Sequence, residues 1–191
     1  MQQEVADLPC LSRAGLERIY RTLILSPQPR RDRALLTWML SLGSTPRQVV
    51  RLATADVDLE RGHLRWNDAR HANQTGLDGY TPYEVQLPQE LLHDLRDYFL
   101  RERVARTDRM FVTRLGHPTT TLAVQHLFTW IQRQTGYAWL TPQYLRERRR
   151  AYAMKWVSPV QLMQMGEPWV YRVPAAPLHD AQTASSGSNL R

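Results

Sequence analysis

Histidine, cysteine and arginine are the residue types here whose number and spacing bear most directly on chemistry. The six histidines, His63, His71, His93, His117, His126 and His179, fall at no metal-ligand spacing, and no His-Glu-x-x-His segment occurs. Cys10 is the only cysteine, which excludes an intramolecular disulfide and a cysteine-rich zinc site. No Gly-x-x-x-x-Gly-Lys phosphate loop exists, and a Ser-His-Asp hydrolase has no positive signal. The expectation is a chain without metal or cofactor. Arginine remains. Lys155 is the only lysine among 25 basic residues, so 24 are arginine. The planar guanidinium fork suits phosphate, although a GC-rich genome would produce the same bias, and both explanations stand.

The formal net charge is +7 and the pI about 10.1. Such a balance fits a nucleic-acid binder, a binder of anionic membranes, or a protein with an arginine-rich surface. No apolar run approaches the roughly 20 residues that span a bilayer, and Met1 to Pro9 are polar and acidic, so neither a membrane segment nor a secretory signal is expected. A cytoplasmic location follows as the plain reading. With 191 residues, 42% of them hydrophobic and six of them Trp, one substantial core is expected.

The elements that must position these arginines follow from periodicity. Leu16, Ile19, Tyr20 and Leu23 line one face of a helix over Leu11 to Ile24, which Ser26-Pro27-Gln28-Pro29 breaks. Arg31 to Leu42 forms a second helix, almost wholly apolar from Ala34 to Leu40 and therefore buried, with Gly43 as its stop. Thr45-Pro46-Arg47-Gln48 starts a third helix with a capping box and proline at its first position; it ends near Leu52. From Asp56 to Trp66 the period changes to two, around a turn at Arg61-Gly62, as in a β-hairpin. After a polar loop from Asn67 to Gly79, a third strand carries Tyr83, Val85 and Leu87 on one face. Pro88 then begins a helix with Leu91, Leu92, Leu95, Tyr98 and Phe99 at helical spacing. Another helix, Thr120 to Gln134, presents Leu122, Leu127 and Ile131 to the core. An arginine-rich helix follows from Thr141-Pro142 through Lys155, and a short one from Ser158 to Gly166. The sum is about seven helices around a small antiparallel three-stranded sheet, an α+β arrangement that is mostly helical. The expected organisation is one domain over 1–173 and a flexible tail over 174–191, where Ala, Ser, Gly and Asn dominate.

The ordered set of local segments resembles the catalytic domain of the tyrosine recombinase (phage integrase) family. Arg31-Asp32-Arg33-Ala34-Leu35-Leu36, Leu42-Gly43, and Leu52 with Asp56-Val57-Asp58-Leu59 and Gly62 are similar to its opening. Val85-Gln86-Leu87-Pro88 with Glu90-Leu91-Leu92 is similar to its strand-to-helix step. Leu140-Thr141-Pro142-Gln143-Tyr144-Leu145-Arg146 resembles its histidine-to-arginine box, and Gln161 to Gly166 the approach to its last histidine or tryptophan. The similarity covers roughly residues 11 to 173, and the family's separate N-terminal clamp domain is expected to be missing.

The resemblance implies a scaffold that grips duplex DNA and a chemistry in which a tyrosine attacks a phosphodiester held by two arginines, with a lysine and histidine-type residues moving protons. Carried over residue by residue, most of that chemistry is lost. The first arginine corresponds to Thr45, which has a sound role as a helix cap; Arg47 lies two residues on. The lysine belongs between Trp66 and Tyr83, where no lysine exists, and Arg70 titrates too high to donate a proton. The histidine of the box is Gln143, which hydrogen-bonds but does not exchange a proton near neutral pH. The second arginine is retained as Arg146, one turn away on the same face. The last histidine or tryptophan is Glu167, and the nucleophile's place around Ala175 to Leu178 has no tyrosine; Tyr171 is the nearest.

The expectation is therefore a catalytically inactive, recombinase-like binder of double-stranded DNA serving a mobile genetic element. The expected phosphate contacts are Arg30, Arg31, Arg33, Arg47, Arg51, Arg70, Gln143, Arg146, Arg148, Arg149 and Arg150, with Gln48, Arg51, Gln125 and Gln143 as candidate base readers. The rival readings are a divergent recombinase or relaxase using Tyr171, and a protein-interaction module paired with an active recombinase. A homo-oligomer is compatible with all three.

Overall fold

A computed structural model describes residues 11–66 and 83–156. Ser12 caps the first helix, α1 (Arg13–Leu23), by accepting from the Gly15 amide at 3.1 Å. Pro29 starts α2 (Pro29–Leu42) two residues ahead of the sequence expectation, because its fixed φ suits a first helical position. Ala34, Leu35, Leu36, Trp38, Met39 and Leu42 of α2 are buried, which explains its almost continuous apolar run. It ends at Gly43 in the left-handed region, φ 65°. The short helix α3 (Pro46–Arg51) has the anticipated capping box: Thr45 accepts from the Gln48 amide, and the Gln48 side chain accepts from Thr45 N–H at 2.8 Å.

The sheet is antiparallel throughout, in the order β1 (Val57–Asp58), β2 (His63–Trp66), β3 (Tyr83–Gln86). Val57 faces Leu64 and Leu64 faces Val85, so these three side chains fall on the core side of adjacent strands. Asp58 Oδ1 accepts from the amides of Glu60 and Arg61 and shapes the turn between β1 and β2. Helix α4 (Gln89–Arg101) clamps that turn through Arg96, which donates to the carbonyls of Leu59 and Glu60.

Helix α5 (Thr121–Thr135) corrects one sequence expectation. Leu122 is 57% exposed, while Val124, Leu127, Phe128 and Ile131 are buried. The stripe 124, 127, 128, 131 is the true period-3.6 face, and Leu122 lies two residues off it. The last described helix is α6 (Pro142–Trp156). Among the described residues there are thus six α-helices and a three-stranded sheet, with α2 packed between α4 and α6, and α5 against α1 and α3. No helix among them is long and apolar enough to cross a membrane. The loop from Asn67 to Gly79, the helix expected over Ser158 to Gly166 and the tail from Pro174 lie outside the described residues.

One polar network ties α1, α2 and α4 together inside this packing. Asp94, 5% exposed, accepts from the Thr37 hydroxyl at 2.7 Å and from Arg33 Nε at 2.9 Å. Thr37 gives its one hydroxyl proton to Asp94, so Tyr20 must donate in the 3.0 Å Tyr20–Thr37 bond. The Arg33 guanidinium also lies over the Tyr20 ring at 4.7 Å. Burial pushes the Tyr20 phenol above its ordinary pKa.

Asp94→Ala leaves a buried hydroxyl and a half-exposed guanidinium without their acceptor, and should lower the unfolding free energy by about 2–4 kcal/mol in urea titration. The raised Tyr20 pKa works in one direction: its stabilisation is complete below the unfolded value of about 10 and is lost as pH rises through the native one. Tyr20→Phe should therefore show a shallower fall in stability above about pH 10 than the wild type. Gly43→Ala places a Cβ in a left-handed position and 3.0 Å from the Arg149 side chain. The backbone conformation alone should cost about 1–2 kcal/mol, measured as a reduced urea midpoint.

Candidate nucleic-acid interface

The starts of α3 and α6 meet at one cleft of about 490 Å3, with Gln125 of α5 beside them; its lining is Thr45, Pro46, Gln125, Thr141, Pro142, Gln143, Arg146 and Glu147. Each lining segment has a local reason for its position. Trp38, fully buried in α2, donates from Nε1 to Ser44 at 3.1 Å and holds the α2–α3 junction. Gly43 lets α6 pass close enough for Arg149 to pack on it. Thr45 is then fixed by its capping box. On the opposite wall, Thr141 caps α6 by accepting from the Tyr144 amide at 3.0 Å. Gln132 of α5 holds the Leu140 carbonyl at 2.9 Å. Tyr144 is buried against Trp139, with ring centroids 4.7 Å apart, which turns the neighbouring positions Gln143 and Arg146 outward along the cleft.

The structure thus brings together three positions that the sequence reading treated separately: Thr45, Gln143 and Arg146. Thr45 uses its hydroxyl and its amide in the cap, where both engage Gln48. Gln48, a candidate base reader, has its side-chain oxygen committed to the same box. Gln143 donates from Nε2 to Glu147 Oε1 at 2.7 Å. Gln125 is exposed at the rim on α5. Among the described residues Arg146 is the single arginine lining the cleft, and Glu147 places a carboxylate beside it. Sequence reasoning missed Glu147. Its spacing of four from Gln143 and one from Arg146 was the available signal, since i and i+4 share a helix face.

The expected phosphate contacts divide by environment. Arg47 and Arg51 are exposed on α3, whose first residue forms part of the cleft wall. Arg148 and Arg149 line a second groove, between α6 and α1, together with Leu11, Leu16 and Leu40. The α2 arginines have other commitments. Arg31 is only 14% exposed at its side chain; it donates to Asp32 at 2.6–2.7 Å and also to Gln28. Arg30 binds Asp97 at 2.9 Å, and Arg33 binds Asp94. The glutamate at the end of α4 adds to this: Glu102 accepts the backbone amides of Arg30 and Arg31. The basic cluster that reads in sequence as a phosphate patch is, in the fold, the positive side of an α2–α4 seam. Arg70, Glu167, Tyr171 and the side chain of Arg150 lie outside the described residues. Among those described, no group of three His, Cys, Asp or Glu residues could hold a metal ion.

By sequence the chain matches no protein-family model and no curated protein. Its three-dimensional arrangement is shared. It is similar to XerA recombinase, at 18% identity and a TM-score of 0.58, over 78% of this chain and 50% of the other. It is similar to the Tn1549 transposon integrase (residues 82–397) in complex with circular intermediate DNA, at 14% identity and a TM-score of 0.61, over 85% and 58%. It is also similar to the XerH site-specific recombinase bound to palindromic difH substrate in a post-cleavage complex, at 16% identity and a TM-score of 0.56, over 88% and 48%. The chain spans about half the length of these structures. The mostly helical fold with its small antiparallel sheet is similar to that of tyrosine recombinase catalytic domains.

Proposed function

We propose that this chain binds double-stranded DNA without cleaving it, as an accessory or site-recognition factor of a mobile genetic element. One observation carries the reading. The cleft at which the resemblance puts phosphodiester chemistry holds Thr45, Gln143 and Glu147 around Arg146, and none of the first three can clamp a phosphoryl oxygen with positive charge or act as a proton donor at neutral pH. A catalyst of this kind needs preorganised donors where negative charge develops. Removing one typically costs about 10²–10³-fold in rate, and removing a general acid about 10²–10⁴-fold. The chain's only lysine, Lys155, is not between Trp66 and Tyr83, where the resemblance requires one.

Grip makes smaller demands. Phosphate contacts need only cationic forks in reach of the backbone, and their strength comes from counterion release. Arg47 and Arg51, exposed on α3, are the contacts favoured by exposure, and the half-buried Arg146, Arg148 and Arg149 on α6 join them by position at the cleft or its neighbouring groove, with Arg70 and Arg150 added from the sequence. Arg30, Arg31 and Arg33 are left out because carboxylates occupy them. Two of the solved structures of similar fold are a transposon integrase in complex with circular intermediate DNA and a site-specific recombinase bound to its palindromic difH substrate. An active recombinase or another mobile-element protein would supply the strand chemistry, and a homo-oligomer is compatible with this role.

Fluorescence anisotropy against labelled genomic duplexes at several salt concentrations tests the proposal. Contacts to about six phosphates should lower affinity by roughly 10³-fold between about 50 and 200 mM salt. Arg47→Gln and Arg51→Gln should each flatten the log–log salt slope by about one. Absence of binding at 50 mM salt sinks the DNA reading. A covalent adduct on a nicked suicide substrate, lost in Tyr171→Phe, sinks the non-cleaving one.

A further inference from the structure

We infer that Arg109 and Arg51 together clamp a single phosphate group, which in the DNA-binding reading is one phosphate of the duplex backbone. The inference rests on that reading and adds to it a contact residue outside α3 and α6. Arg109 is 58 residues from Arg51 in sequence, and only the fold makes them neighbours.

Backbone bonds stitch the two segments together. The Thr54 amide donates to the Asp108 carbonyl at 2.7 Å, and the Met110 amide donates to the Leu52 carbonyl at 2.8 Å. Arg103, half-buried and over the Phe99 ring, braces the loop by donating to the carbonyls of Thr107, Arg109 and Met110. Arg103 thus serves the loop's own backbone. Arg109 is placed differently. Its Nη1 donates to the Arg51 carbonyl at the surface, and its Nε lies 4.0 Å from Asp108 Oδ1. A guanidinium carries five N–H groups, so the bond to the carbonyl fixes the fork and leaves the Nη2 protons for a ligand. The Arg109 side chain is 39% exposed, and Arg51 is exposed beside it.

The local electrostatics favour an anion. Arg51 is the last residue of α3, where carbonyls without helical partners would repel a phosphate. Arg109 occupies the Arg51 oxygen and puts a full positive charge where a partial negative one would stand. Arg47, one turn earlier on the same face of α3, extends the surface to a second phosphate. Two carboxylates lie close in the chain, and neither cancels this. Asp56 is buried and accepts from the Ala53 amide, so it faces inward. Asp108 is 75% exposed and accepts from the Thr107 hydroxyl at 3.2 Å; an ion pair as long as 4.0 Å in water contributes little. A fork already held by a carbonyl also loses less rotamer freedom on binding than an unrestrained arginine does.

Two titrations test the clamp: anisotropy with the labelled duplexes, and thermal denaturation with inorganic pyrophosphate against chloride at matched ionic strength. Arg109→Gln should weaken duplex binding about tenfold at about 50 mM salt and flatten the log–log salt slope by about one. Arg51→Gln/Arg109→Gln should also flatten it by only about one, because both side chains hold the same phosphate. Arg47→Gln/Arg109→Gln should flatten it by about two, because those side chains hold different ones. Arg109→Lys keeps the charge, so it should keep the slope while losing part of the affinity. Pyrophosphate should raise the wild-type melting temperature, and Arg109→Gln should abolish that rise. An Arg109 that only braced the end of α3 would lower the urea midpoint when replaced, yet leave the response to pyrophosphate at its wild-type value. That unchanged response overturns the inference, and a slope change of about two for Arg51→Gln/Arg109→Gln overturns the shared phosphate. Loss of the pyrophosphate response in Arg109→Gln, with no duplex binding by any form, upholds the clamp and overturns the DNA-binding proposal.

Discussion

The junction at Gly43-Ser44-Thr45 is the constraint on which the candidate interface depends. Three separate interactions hold it. Gly43 adopts φ 65° and leaves room for the Arg149 stem, Ser44 receives the Trp38 indole proton, and Thr45 closes the capping box of α3. Without the glycine, α6 could not lie this close to the end of α2. Without the cap, α3 would have no defined start, since a six-residue helix has little cooperative stability of its own. The cleft is thus a product of chain geometry: two helix starts from distant parts of the sequence face each other across it, α6 packed on α2 and α3 packed on α5 and joined to α2 through Gly43-Ser44.

Arginine placement shows how a surface of one residue type acquires different roles. Arg31 and Arg33 satisfy buried or nearly buried carboxylates. Arg96 and Arg103 satisfy loop carbonyls, Arg96 at the β1–β2 turn and Arg103 at Thr107, Arg109 and Met110. Arg109 donates to the Arg51 carbonyl at the end of α3. A guanidinium has five donors in a plane, so it can serve several carbonyls that a lysine could not reach together. A net charge of +7 consequently overstates the cationic surface available to a ligand, and the arginines on α3 and α6 matter more than the total.

This division explains what was legible in the sequence. Helix starts were, because capping chemistry is local: Thr45 with Gln48, Thr120 before α5 and Pro142 in α6 all have the roles their neighbours imply. The hairpin and third strand were legible from the switch to period two. The pairing of Arg33 with Asp94 and of Arg30 with Asp97 was not, because these partners are more than sixty residues apart and nothing local links them. Leu122 was misassigned for a related reason. Near a helix start, several apolar residues compete for the core face, and only tertiary packing selects Val124 and Phe128 over it.

Glu147 extends the same lesson to the cleft. In sequence it is one acidic residue inside Arg146, Arg148, Arg149 and Arg150, and a reading by local charge averages it away. In the fold its neighbours on α6 diverge: Arg148 and Arg149 line the groove toward α1, while Arg146 and Glu147 line the cleft toward α3. A 100° turn per residue separates a basic groove from a mixed-charge cleft along one helix. The α6 contacts to the core run through Tyr144 and Leu145 on the buried face, a different face from the one that lines the cleft. A helix built this way can keep its packing whatever its polar face carries, so the shared fold and the charge of the cleft are set by different faces of α6.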